Sequence, residues 1–244
     1  MPADYARFLI GRQRTAAANR QLGWVLAFVA GALNAGGFLA VQQYTSHVTG
    51  MVSSLADQLA LGHLALVVDA GVAVLAFLVG AMVCAVMVNV ARRRGMSSEY
   101  ALPLMLEAVL VLVFGLVGAR LASHEELLLP ATVLLLCFIM GLQNAMVTKL
   151  SNATVRTTHM TGVVTDLGIE LGKWVYWNRH AEAEPVRADR DRLVVLGGLF
   201  ASFLGGGIAG AFGFKAVGYP FTVPVALVLI GMALVPAWDD WRRR

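Results

Sequence analysis

Two copies of one polar pattern carry whatever chemistry this sequence has. The first copy reads Gly31-Ala-Leu-Asn34-Ala35 and then Thr45-Ser-His47-Val-Thr49-Gly50; the second reads Gly141-Leu-Gln-Asn144-Ala145 and then Thr157-Thr-His159-Met-Thr161-Gly162. The shared pattern is G-x-x-N-A followed by T-x-H-x-T-G. The first part repeats at an offset of 110 positions and the second at 112. An amide in an apolar helix must find a partner, either a neighbouring helix or a ligand. Histidine titrates near neutral pH and can move a proton. Thr49 and Thr161, or Ser46 and Thr158, are of the type that caps a helix start, and a helix start attracts anions. Asn34, His47, Thr49, Asn144, His159 and Thr161 are therefore candidate substrate contacts. His47, His159 and Glu107 are candidate proton carriers, because an ionisable group inside a membrane segment is costly and so is a functional candidate by default.

The elements that must hold these residues are long and apolar. Of the 244 residues, 58% are hydrophobic and 14% are charged, against about a quarter charged in an ordinary soluble domain. The apolar residues fall in blocks of roughly 20, the length needed to cross a bilayer. The sequence predicts six spans, at 22–42, 66–91, 101–119, 130–150, 193–214 and 218–236, in an all-α integral membrane protein. With both termini inside, 17 of the 19 Lys and Arg residues lie on the inner side, and only Arg120 and Lys215 lie outside. Retained positive charge marks the cytoplasmic side. The net charge of +4 sits at span ends rather than on one soluble face, which excludes a nucleic-acid reading.

Three spans per half is an odd number, so the second half enters the membrane from the opposite side. The predicted organisation is a basic N-terminus (1–21), a first repeat (22–119), a second and inverted repeat (130–236, with a cytoplasmic loop at 175–192) and a basic tail (237–244). Each repeat holds a short amphipathic helix, at 50–61 and 162–174, too short to span. It is expected either to lie in the interface or to re-enter. Within the second, Asp166 and Glu170 share one face and could pair with Lys173 and Arg156. Aromatic residues mark the edges: Trp24 opens the first span, Trp174, Tyr176 and Trp177 lie at the inner face, and Trp238 follows the last span. Gly206 and Gly210 form a small-x-x-x-small pair that allows close helix approach.

The matching elements, with Tyr44 preceding the first T-x-H-x-T-G, resemble the YoaK-like family of uncharacterised multi-pass bacterial membrane proteins, a domain of unknown function. Met51 stands where that family is expected to carry Asn. The resemblance implies the bacterial cytoplasmic (inner) membrane and no substrate. Inverted repeats are common in secondary transporters. The expected function is a transporter or channel for a small solute bound at the repeat interface, with anions among the candidates; the alternative is a non-transporting scaffold or partner subunit. No H-E-x-x-H, G-x-S-x-G or paired-aspartate motif is present, so no enzyme is expected. Cys84 and Cys137 lie apart in apolar runs and suggest neither metal site nor disulfide. No cofactor is expected. The expected partners are the lipid bilayer and a small-molecule or ion substrate, with a homo-oligomer left open.

Overall fold

The computed structural model describes residues 8–9, 15–96, 98–121, 125–150, 158–178 and 184–242, and among these it is helical with no strand. Arg156 and Thr157 lie outside the described residues. Eight helices follow in order: α1 Ala16–Val41, α2 Val48–Ala60, α3 Leu64–Arg93, α4 Ala101–Gly118, α5 Glu125–Leu150, α6 Met160–Val175, α7 Arg190–Val217 and α8 Thr222–Arg242. Six of them, all but α2 and α6, are long and apolar enough to cross a membrane. The protein is a multi-pass helical membrane protein. Large apolar side chains on α3 and α7, such as Leu78, Met82, Val86, Leu204, Ile208 and Phe212, are exposed, as lipid-facing surfaces require.

Local chemistry sets the helix ends. Thr15 caps α1 by accepting the Ala18 N–H at 3.1 Å. Gln42 ends it in the left-handed region at φ 56°, which satisfies the last carbonyls and turns the chain back. Asp189 caps α7 by accepting the Arg192 N–H at 3.0 Å. Lys173 still belongs to α6 and Arg190 already to α7. Between them Asn178 accepts from the Val186 N–H at 2.9 Å and donates to its carbonyl at 3.1 Å.

Backbone contacts at glycines lock the long helices into pairs. A Cβ on Gly31 would strike the Phe203 carbonyl, and one on Gly206 would strike the Phe28 carbonyl. These contacts join α1 to α7. The other half repeats them: Gly141 meets the Phe77 carbonyl and Gly80 meets the Phe138 carbonyl, joining α5 to α3. Phe28 and Phe138 are 110 positions apart, like the two Asn residues, while Phe77 and Phe203, and Gly80 and Gly206, are each 126 apart. Over the length of each pair rising numbers face rising numbers: Trp24, Ala32 and Gly36 meet Gly198, Gly210 and Phe214, and Phe77 and Asn89 meet Gly141 and Lys149, so each pair is parallel. Between the pairs α1 meets α5 in the antiparallel sense: Gly37 faces Leu136, and the Gln143 amide donates to the Leu26 carbonyl at 3.3 Å. Helix α4 packs on α8, where Phe114, Phe214, Tyr219 and Phe221 form an aromatic cluster. The main core runs through α1, α3, α4, α5 and α8, from Leu26 and Leu33 to Met140, Met146 and Leu229; buried hydrophobic residues of α7 belong to two smaller clusters.

Trp24 does not sit at the opening of its span. It lies in the third turn of α1, with its ring against Gly198 and its indole N–H donating to the Val195 carbonyl at 3.2 Å. It is a packing residue between α1 and α7. Trp174, Tyr176 and Trp177, at the end of α6, are exposed.

Candidate functional site

Helices α2 and α6 each double back along the helix that follows. Leu55 of α2 packs at Gly71 of α3, and His63, just before α3, shares a 2.8 Å hydrogen bond with Gln58. His47 lies eight residues before Leu55, or about 12 Å along the helix. That carries it along the 30-residue α3 toward its middle. The second hairpin matches. Glu170 accepts the Asp189 N–H at 2.9 Å, Asp166 pairs with Arg192 at 3.1 Å, and Val163 joins Leu196 and Leu199 in one apolar cluster. Continuing this register puts His159 beside the middle of α7.

The pattern Asn…Ser/Thr-His fixes these starts. The Ser46 hydroxyl donates to Asn34 Oδ1 at 2.8 Å, and the Thr158 hydroxyl donates to Asn144 Oδ1 at 2.5 Å. Asn144 Nδ2 also donates to the Met140 carbonyl at 2.7 Å. The expected capping roles are corrected by this arrangement. His47 and His159 occupy the N-cap positions, with no side-chain cap bond, because the neighbouring hydroxyls are already committed to the amides. Thr49 and Thr161 are exposed and cap nothing. Each imidazole instead lies against the glycine three residues on: a Cβ at Gly50 or Gly162 would strike Nδ1 of His47 or His159. The terminal glycine of T-x-H-x-T-G is thus a seat for the ring, a role the sequence signalled by repeating it at the same spacing. No hydrogen bond joins Asn34 to Asn144 among the described residues; each serves its own half. Removing either side of the clasp loosens the start of the short helix. A double-mutant cycle with Asn34→Ala and Ser46→Ala is expected to give a coupling of about 1 kcal/mol by thermal unfolding in detergent, and additivity would remove the clasp.

A cavity of about 680 Å³ opens between α2, α3 and α5. His47, Gly50 and Gln58 line it from the α2 side and Leu66, Asp69 and Ala73 from α3; Leu129, Pro130, Val133 and Leu134 of α5 form one wall. Of the candidate residues, His47 alone lines it. Asp69 was missed as a site residue, although it lies on a membrane-length helix; it is exposed. Asp69 has no hydrogen-bond or ionic partner among the described residues, and its α7 counterpart, 126 positions on, is Val195. No residue of α6 or α7 lines the cavity. The corresponding place in the other half holds Trp24, which stands where Leu134 stands in α5 and packs on Gly198. Glu107 does not line this opening: it is fully buried, and neither carboxylate oxygen has a partner among the described residues.

Glu170 is a structural group. Lys173 at 2.8 Å and then the Asp189 N–H hold its carboxylate below the ordinary range, and Arg192 at 3.6 Å adds to this. Arg192 takes the part expected of Arg156. Because the folded value is the lower one, the stabilisation is full above the ordinary pKa of about 4.3 and is lost as pH falls through the folded value. Glu170→Gln is expected to flatten the acid limb of a Tm-versus-pH curve; an unchanged limb would assign the effect to another carboxylate.

Residues 22–235 match the family described as Protein of unknown function (DUF1275). The chain belongs to this family. The DUF1275 match takes in both copies of the Asn and T-x-H-x-T-G pattern, both hairpins and the cavity. No curated protein and no solved structure matches the chain.

Proposed function

We propose that this DUF1275 protein moves a small solute across the bacterial cytoplasmic membrane, using two inverted repeats whose half-way helix starts meet a water-filled path. The observation that carries the reading is the cavity shared by His47, Gln58 and Asp69, walled by α2, the first third of α3 and the first half of α5. Non-helical backbone at such depth is tolerated where it lines protein or a watery cavity, and broken segments of this kind bind substrate in transporters. The parallel α1–α7 and α3–α5 pairs, set antiparallel to each other across α1 and α5, support the inversion. The Lys and Arg distribution supports termini on the cytoplasmic side, with α2 facing out and α6 facing in. The opening on the α2 side, opposite a counterpart filled by Trp24, supports an outward-facing state of a carrier. His47 and Glu107 are the proton carriers this reading would use. It contains no catalytic step, and a non-transporting scaffold has no use for the cavity.

Gln58→Cys and Lys173→Cys in intact cells test the arrangement with a membrane-impermeant maleimide. The thiol introduced at position 58 is expected to be labelled in intact cells, and the one at position 173 only after lysis. Labelling of both from one side would end the inverted reading. Flux in proteoliposomes tests the activity: a panel of amines, amino acids, organic acids and inorganic ions that moves no faster than in empty liposomes would end the transport reading.

A further inference from the structure

The chemistry of the cavity wall says more about the solute than the helix starts do. Asp69 contributes a carboxylate that no described residue neutralises. No Lys or Arg lines the cavity. The other groups on that side, Gln43, Ser54 and Gln58, are neutral hydrogen-bonding side chains, and Tyr44 adds an aromatic face. Across from them α5 offers Leu129, Pro130, Val133 and Leu134, an apolar wall. The partial positive charge at the start of α2 is a fraction of an elementary charge, and the His47 ring is folded over that start against Gly50. A full carboxylate outweighs it. An anion would enter this cavity against Asp69 and meet no cationic side chain unless His47 were protonated. A bare metal ion would find no cluster of three His, Cys, Asp or Glu ligands among the described residues.

Resting on the transport reading, we infer that the solute is a small organic cation, an amine or ammonium compound with an apolar body. Asp69 is its charge-selecting residue, and the α5 wall takes its carbon skeleton. The solute charge is then opposite to the one that helix starts alone suggest. Ammonium groups are held by a carboxylate and by aromatic faces, and a cleft that carries one uncompensated charge concentrates the opposite ion even where, as at Asp69, that charge is exposed.

The test places a thiol in the cavity with Ser54→Cys, leaving the fully buried Cys84 and Cys137 in place. Its modification by the trimethylammonium-ethyl and sulfonatoethyl methanethiosulfonates is compared with that of free β-mercaptoethanol. The cation-to-anion rate ratio at the introduced thiol is expected to exceed the free-thiol ratio by about tenfold. Adding Asp69→Asn should return it to the free-thiol value, while Asp69→Glu should keep it, which separates charge from a folding defect. Millimolar choline should slow modification more than its anionic analogue 3,3-dimethylbutanoate. A ratio at the free-thiol value, a ratio unmoved by Asp69→Asn, or equal or reversed protection would overturn the cation assignment while leaving the path intact. If neither reagent reaches the thiol at position 54, the path itself is absent, and the transport reading falls together with the inference.

Discussion

Gly206→Val is expected to cost about 3 kcal/mol or more, the upper end for forcing atoms into a packed contact. The reason is that the new side chain meets the Phe28 carbonyl, a backbone group that no rotamer change can move. Gly80→Val should cost a similar amount through the Phe138 carbonyl, because the two contacts are the same contact in different halves. Gly205→Val is the control. Nothing lies within 4 Å of a Cβ there, so a change of less than about 0.5 kcal/mol is expected, as for surface sites generally. Thermal unfolding in detergent, read with size-exclusion profiles, distinguishes the three. Equal tolerance at 205 and 206 would mean that the helices do not approach as closely as the glycines allow.

Glu107→Met is expected to raise stability by about 1–3 kcal/mol. The wild-type carboxyl is fully buried among Leu104, Ala108 and Val111, with both oxygens unpartnered among the described residues. A buried polar group without a hydrogen bond costs about that much, and methionine fills a similar volume without the polar atoms. Glu107→Gln should gain little, since its amide meets the same surroundings. Chemical or thermal unfolding of the three chains decides it. A less stable Met variant would show that the carboxyl has a partner. A more stable one would mark Glu107 as a residue held for activity, and loss of proton-linked flux in that variant would be the functional readout.

Much of the architecture was legible because bilayer physics leaves few choices. The spans came from apolar length, and the structure moves most of their ends outward by only a few residues. The repeated Asn and His elements were visible as letters, but their geometry was not. Ser46 and Thr158 read as helix caps, because capping is the common use of a hydroxyl before a helix. In the structure a nearer amide takes each hydroxyl. Trp24 read as an interfacial anchor because aromatic belts are a statistical regularity, whereas a glycine 174 positions later makes room for its ring. Such a pairing is invisible without knowing that α1 and α7 run side by side. Asp69 stands in no motif of the letters; only its place in the cavity lining singles it out. The 126-position match of Phe77 to Phe203 and of Gly80 to Gly206 was available in the letters, and it would have predicted both helix pairs.

The glycine contacts also decide what can move. Where backbone touches backbone, as between α1 and α7 or α3 and α5, sliding by even a fraction of a turn drives a carbonyl into a helix. Where α1 meets α5, by contrast, Leu136 faces Gly37 and Gln143 reaches across by its side chain. Flexible side chains there can exchange neighbours. The two glycine-locked pairs can therefore shift against each other only along the α1–α5 seam, and the cavity, walled by α2, α3 and α5, travels with one of them; what narrows or widens it is a movement of α2 against that pair.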